Sequence, residues 1–180
     1  MSAKIITYQP KALIVEDWSG LQMTHFKPRG VWYSPVEGEV PAWRRWCEGE
    51  GWSPGSYTHK YRLHNIPYCS LAQALKGTGQ GKVLLLSTEE DVLEFSTRFR
   101  DKGVDNIDWA AVARLVEGIE INPYQYGLKW NSHTSSWYGW WDISCGCVWR
   151  MPEGMELEQV PLDWDGSVET RSWGSFTNYD

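Results

Sequence analysis

The sequence has few of the features that would assign it at once. Its longest aliphatic run is Val83-Leu84-Leu85-Leu86, far short of the ~20 apolar residues that cross a bilayer, so no membrane-spanning helix is expected. The segment from Met1 to Gln9 holds no basic stretch followed by an apolar core and a cleavage site, so no secretory signal is expected. Cysteine is scarce. Cys47, Cys69, Cys145 and Cys147 lack the spacing of a secreted disulfide framework and read as reduced thiols, which points to a cytoplasmic protein. Basic residues are outnumbered 17 to 23, for a net charge of −6. That balance argues against generic binding to nucleic-acid phosphates and leaves room only for a local basic pocket serving one phosphorylated ligand.

Familiar catalytic motifs are missing as well. Gly77-x-Gly79-x-Gly81 precedes a strand pattern, so it presents no helix N-terminal amides to a phosphate. Neither a Gly-x-Ser-x-Gly elbow nor a His-Glu-x-x-His pair occurs, and no feature specifically supports a Cys–His nucleophile pair. Cys145-Gly146-Cys147 lacks a second Cys or His pair at ligand spacing, so no metal site is expected.

Tryptophan, by contrast, is abundant, with 13 among 180 residues. Each indole offers a large apolar face and one N–H donor. Most should serve as core and scaffold, and about two or three should line a site built from a few aromatic walls and a few polar groups. The chain is long enough to bury a core without staples. It reads as a single α+β domain over residues 1–160, with a weakly ordered acidic tail over 161–180 in which Trp164, Trp173 and Phe176 hint at docking.

Residues 4–8 predict a β-branched first strand, and 30–34 a second that Pro35 ends. Pro41 opens a helix in which Trp43, Trp46 and Cys47 fall at i, i+3 and i+4. Residues 57–66 alternate as a strand. Leu71 to Lys76 suits a short helix, and Lys82 to Leu86 a buried strand. Ser87 with Glu90 reads as the capping pair of a helix reaching Arg100, and Asp108 caps another. Residues 118–121 form a strand closed by Asn122-Pro123. The dense segment 137–150 reads as one long or bulged strand, and 155–160 as a last short one. A mainly antiparallel sheet with two or three helices follows.

Two segments stand out chemically. Thr24-His25-Phe26-Lys27-Pro28-Arg29-Gly30-Val31-Trp32-Tyr33-Ser34 gathers a histidine, cations, aromatics and a hydroxyl. Alternation sends Trp32 and Ser34 to one face, where a ring could stack and a ribose or amide be held. In Trp140-Trp141-Asp142-Ile143-Ser144, an acid sits among bulky aromatics, which is costly without a partner. Asp142 therefore stands at a strand end in water, meets Arg or Lys, or does chemistry. Alternation would put Trp140, Asp142 and Ser144 on one face.

Taken together, Lys27-Pro28-x-Gly30-Val31-Trp32-Tyr33-Ser34, the Trp43/Trp46 pair, Ile107-Asp108-Trp109, Glu117-Gly118-Ile119-Glu120-Ile121 and the run from Trp141 to Trp149 resemble the layout of small uncharacterised bacterial and bacteriophage proteins. The likeness covers about residues 4–150. That layout in turn looks like the mono-ADP-ribosyltransferase superfamily, a split antiparallel-sheet α+β fold that binds NAD in a cleft. The resemblance implies that Trp32 and one of Trp140 or Trp141 stack on nicotinamide, that Ser34 and Tyr8 bond the ribose or amide, and that His25 or Arg29 meets the pyrophosphate. It also implies that Asp142, or Glu120 in second place, stabilises the cationic ribosyl transition state. Here the sequence departs from the family pattern: Asp142 is one methylene shorter than the usual glutamate, and no Gln-x-Glu or Glu-x-Glu pair lies near it. The expected activity is NAD-dependent modification of a host macromolecule, protein or nucleic acid. The alternative is a non-enzymatic phage-type inhibitor that masks a host or defence factor through tryptophan hot spots. A cleft holding an acid, a hydroxyl and stacking aromatics would favour the enzyme.

Overall fold

A computed structural model describes residues 4–18, 20–101, 103 and 106–168 of the chain. The strands are β1 (Ile5–Gln9), β2 (Thr24–His25), β3 (Val31–Glu37), β4 (Val40–Pro41), β5 (His59–His64), β6 (Tyr68–Cys69), β7 (Val83–Leu86), β8 (Ile107–Asp108), β9 (Gly118–Ile121), β10 (Cys145–Val148) and β11 (Glu156–Val160). The helices are α1 (Ala42–Glu50), α2 (Leu71–Leu75), α3 (Glu89–Phe99), α4 (Trp109–Val112) and α5 (Ser135–Gly139). Two 3₁₀ turns cover Val15–Asp17 and Tyr126–Leu128. No described helix is long and apolar enough to cross a membrane.

Nine strands make one curled sheet in the order β11-β5-β1-β3-β10-β9-β7-β6, with β4 beside β3, while β2 and β8 pair separately. Pairing is antiparallel except for β6–β7 and β7–β9. The fold is thus α+β with a mainly antiparallel sheet. It has five helices among the described residues rather than two or three: α2 and α4 stand where short helices were expected at Leu71 to Lys76 and after Asp108, while α5, of five residues, is too short to leave a clear helical period.

Register decides what each face carries, since paired residues share a face and neighbours alternate. One row runs Trp32–Cys147–Ile119–Leu84, and the next, on the other face, runs Tyr33–Gly146–Glu120–Leu85. The first face is covered by helices. There Leu84, Leu86, Ile119 and Ile121 pack with Val92, Phe95, Trp109 and Trp137. Ile6 and Tyr8 of β1 join Cys47 of α1 and Trp164 on the same face. The opposite face is closed by Ile5, Val31, Leu63, Val83, Val148 and Met155.

Pro35 does not end the second strand. The amide of Val36 donates to the Lys4 carbonyl at 2.8 Å, so the Pro35 nitrogen faces the other edge of β3. β10 has ended on that side, its pairing with β3 stopping at Tyr33, and no ladder bond is lost. The α3 cap is shifted by one residue. Thr88 accepts from the Asp91 amide at 3.1 Å, and Asp91 accepts from the amides of Thr88 and Ser87 at 3.0 and 2.9 Å.

The largest departure concerns residues 137–150. Only 145–148 are strand; the chain before them is the α5 turn and a tight reversal. Aromatic β-propensity reflects fit to a half-buried pleated surface. Here Trp137 on α5 and Trp141 in the turn just after it instead enter the core together. Asp142 follows at φ 63, in the left-handed region, so the alternation expected around it does not exist.

Residues 161–168 pack on the domain, while 169–180, with Trp173 and Phe176, lie outside the described residues. Trp164 is buried, its ring 5.2 Å from Tyr8 and 5.5 Å from Tyr57. Its N–H donates to the Ser167 carbonyl at 2.8 Å. Trp164 thus closes the cluster that Ile6, Tyr8 and Cys47 begin. Trp164→Ala should cost about 2–3 kcal/mol of buried apolar surface and lower the melting midpoint by about 4–12 °C. An unchanged midpoint in differential scanning calorimetry would return residue 164 to the surface.

Candidate functional site

A cleft of about 360 Å³ opens on the helix-covered face between β1, β3, α1 and the turn before β10. Four tryptophans (Trp32, Trp43, Trp52 and Trp141) line it with Tyr8 and Tyr57, while Ser34, Gln9, Lys27 and Cys145 supply its polar groups. The strands place these side chains. Ile6 pairs with Ser34, and Trp32 with Cys147, so the alternate residues of β1 and β3 turn to one side. Helix α1 closes over them, with the Trp43 amide donating to Ser34 Oγ at 3.2 Å and the Trp43 indole to the Tyr57 hydroxyl at 3.1 Å. Trp43 stacks on Trp46 at 5.3 Å and 13°, and Trp52 meets both edge-on.

The inner wall is Trp141, 4.9 Å from Trp32 at an interplanar angle of 58°. It is only 2 % exposed, and its indole N–H has no acceptor. The only other buried side-chain polar atom without a partner among the described residues is Nε of Arg62. A buried donor without an acceptor costs about 1–3 kcal/mol, and such a group asks for an explanation. At the mouth, Lys27 Nζ sits 5.2 Å over the Trp32 ring, with no carboxylate partner among the described residues.

Of the residues expected to hold a cofactor, Tyr8, Trp32, Ser34 and Trp141 line this cleft. Ser34 accepts from Trp43 and donates to no acceptor among the described residues, so its proton is free for a ligand. Tyr8 contributes its ring. Its hydroxyl donates to Asp163 at 3.1 Å, and burial, followed by the Asp163 charge, raises it well above the usual tyrosine range. Asp163 also binds Lys60 at 2.8 Å.

The remaining expected residues lie elsewhere. His25 and Trp140 flank Phe26, at 4.1 and 5.4 Å between ring centroids, and neither lines the cleft. Arg29 lines a separate cavity. Asp142 is not on a late strand; it sits in the turn, where Lys129 donates to it at 2.8 Å. It therefore meets the second of the fates open to an acid among aromatics. Glu120 lies on the opposite face of the sheet, 2 % exposed, and accepts from Tyr33 at 2.9 Å, Tyr68 at 2.5 Å and Asn122 at 3.0 Å. Burial, followed by the Glu120 charge, holds both tyrosine hydroxyls well above their ordinary range, so they remain donors. Among the described residues no Asp or Glu lines the cleft.

The sequence reading missed Trp52, Tyr57 and Lys27 as site residues. Trp52 sits in the non-periodic stretch between α1 and β5, and Tyr57, expected to open the alternating strand, lies just before β5, where its pattern signals a strand and not a site. Lys27 was visible beside Arg29, yet nothing in the sequence tells which of the two cations faces the cleft.

All four cysteines are free and buried. Burial raises the Cys145 thiol to about 12 and the Cys147 thiol well above its usual value. The reactive thiolate is therefore scarce at neutral pH. A disulfide reagent at pH 8 should find less than about one fast-reacting thiol in the native protein and all four in denaturant. A rapid native reaction would mean that the Cys145 wall opens. Among the described residues no group of three or more His, Cys, Asp or Glu is placed to hold a metal ion.

Comparison with family models, with curated proteins and with solved structures finds no match.

Proposed function

We propose that this protein binds NAD, seating the nicotinamide end in the Trp32–Trp141 cleft, and that it holds the ligand without transferring ADP-ribose. The observation that carries the reading is the gathering of Trp32, Trp43, Trp52 and Trp141 with Tyr8, Tyr57 and the Ser34 hydroxyl around one cleft. A nicotinamide ring supplies a flat surface to stack on Trp32. The Ser34 hydroxyl and Lys27 then suit the ribose and the adjoining phosphate. Tyr8, Trp32, Ser34 and Trp141, four of the residues that the ADP-ribosyltransferase resemblance implies, support this choice of ligand by lining one cleft.

Binding is favoured over transfer because, among the described residues, no carboxylate lines the cleft to stabilise a ribosyl cation. The second reading, a transferase acting on a host macromolecule, draws on one observation: Asp142 directly follows Trp141, and its ion pair with Lys129 is half-buried.

Calorimetric titration of NAD with tryptophan-fluorescence quenching tests the proposal. Trp32→Ala should weaken binding by about 5–150-fold, the worth of one ring stacked on an aromatic, while still melting cooperatively. Absence of both heat and quenching at millimolar NAD would overturn it. NAD consumption that disappears in Asp142→Asn would decide for the transferase.

A further inference from the structure

A second cavity, of about 320 Å³, lies on the opposite face of the sheet, between β3, β10 and the loop that follows β1. Its walls include Leu13, Trp18 and Val31, and its cations are Lys11 and Arg29, with Asp17 as the acid on its lining. Gln9 and Gly30 line both this cavity and the aromatic cleft. They stand at adjoining ends of β1 and β3, so the two spaces meet around one end of the sheet. Gly30 is exposed there, and a Cβ at that residue would fall 2.2 Å from the Val148 carbonyl oxygen. The Gln9 amide is folded back onto Thr7 at 2.7 Å.

The cations at this junction are held in place and unpaired. The main chain of Arg29 is clamped by the buried Gln22 side chain, which accepts from the Arg29 amide at 2.9 Å and donates to its carbonyl at 2.6 Å. The Arg29 guanidinium and the Lys11 ammonium make no hydrogen bond or ion pair among the described residues. Lys27, two residues before Arg29, reaches the aromatic cleft instead. In a chain of net charge −6, unpaired cations on both sides of a bare glycine make a local anion site. The loop that walls the second cavity is anchored too: the Leu13 amide donates to the Tyr61 hydroxyl at 3.1 Å, and Leu13 and Trp18 pack against the core of that face.

We infer that the second cavity takes the far nucleoside of a dinucleotide, with the bridging pyrophosphate crossing the sheet end at Gly30 between Lys27 and Arg29. Each cavity is at the small end of the range for ligand sites and suits one ring with its sugar. Trp18 and Leu13 give the second ring an apolar wall. The inference rests on the NAD reading of the aromatic cleft, and it specifies a ligand with two nucleoside ends rather than a mononucleotide.

The test is calorimetric titration of the full chain with nicotinamide mononucleotide and with NAD, for wild type, the double variant Lys11→Ala/Arg29→Ala, and Trp32→Ala. Both cations are exposed, so the double variant should melt as wild type does. NAD should bind about tenfold or more tighter than the mononucleotide, as expected for added charge-assisted hydrogen bonds. The double variant should lose that advantage while keeping its mononucleotide affinity, and Trp32→Ala should weaken both ligands. Equal affinity for the two ligands in wild type would overturn the second subsite and leave the cleft standing. An equal fall for both ligands in the double variant would reduce the cations to a general attraction and would also overturn it. If neither ligand binds wild type, the cleft reading falls first and this inference falls with it.

Discussion

Trp137→Ala should lower the melting midpoint by about 6–20 °C, among the largest effects expected of a single substitution in this chain. Trp137 is fully buried. It stands within 5.4–6.1 Å of the rings of Phe95, Trp109, Tyr138 and Trp141, and its indole donates to Ser96 Oγ at 3.1 Å. Truncation removes a large apolar side chain and leaves a cavity that a shell of rigid rings cannot collapse to fill, which costs about 3–5 kcal/mol. For a domain of this size each kcal/mol shifts the midpoint by about 2–4 °C. The Ser96 hydroxyl still donates to the Val92 carbonyl at 2.7 Å, so the loss comes from packing rather than from an orphaned donor. Thermal melts of the two proteins decide the matter. A fall of only a few degrees would mean that α5 is peripheral and that the strand reading of 137–150 regains its force.

That residue also marks where the sequence stopped being legible. Strands β1, β5, β7 and β9 follow from local composition, because each has its alternation or its aliphatic run within four to six residues. The Asp108 cap is equally local, with its side chain accepting from the Ala111 amide at 2.9 Å. The segment around Trp137 is different. Tryptophan is compatible with helix, strand and turn, and what decides between them is the pocket formed by Phe95 and Trp109, more than 25 residues upstream. The candidate site shows the same division. Tyr8, Trp32 and Ser34 meet because β1 pairs with β3, and a strand pattern foretells that two-residue alternation. His25 was drawn off by β2 pairing with β8, a ladder of two residues that leaves no periodic trace. The fate of Glu120 was hidden because its partners, Tyr33 and Tyr68, come from strands on either side of it in the sheet order, and neither is its neighbour in sequence.

Gly146→Ala should be nearly as damaging as Trp137→Ala, although it adds only one methyl group. Gly146 lies on β10 between Tyr33 of β3 and Glu120 of β9, paired with both. The Tyr33 side chain crosses the strand at this glycine to reach the carboxylate at 2.9 Å. A Cβ at residue 146 would fall 2.3 Å from Tyr33 Cζ and 2.5 Å from its hydroxyl oxygen, well inside contact distance. The ring must move, and overpacking of this kind costs about 1–3 kcal/mol. Displacement also strips a buried carboxylate of one of its three donors, worth about 1.5–3 kcal/mol for a charged acceptor. The two effects together predict a fall of about 5–24 °C in the melting midpoint. They also predict a coupling. Tyr33→Phe alone should cost about 1.5–3 kcal/mol, with Tyr68 and Asn122 still on Glu120. Once that hydroxyl is gone, Gly146→Ala no longer breaks a hydrogen bond, so the double variant should be more stable than the sum of the single losses by about 1 kcal/mol or more. Chemical denaturation of the four proteins measures this directly. Strict additivity would show that the glycine and the Tyr33–Glu120 bond are independent, and the role assigned to Gly146 as the passage for Tyr33 would be wrong.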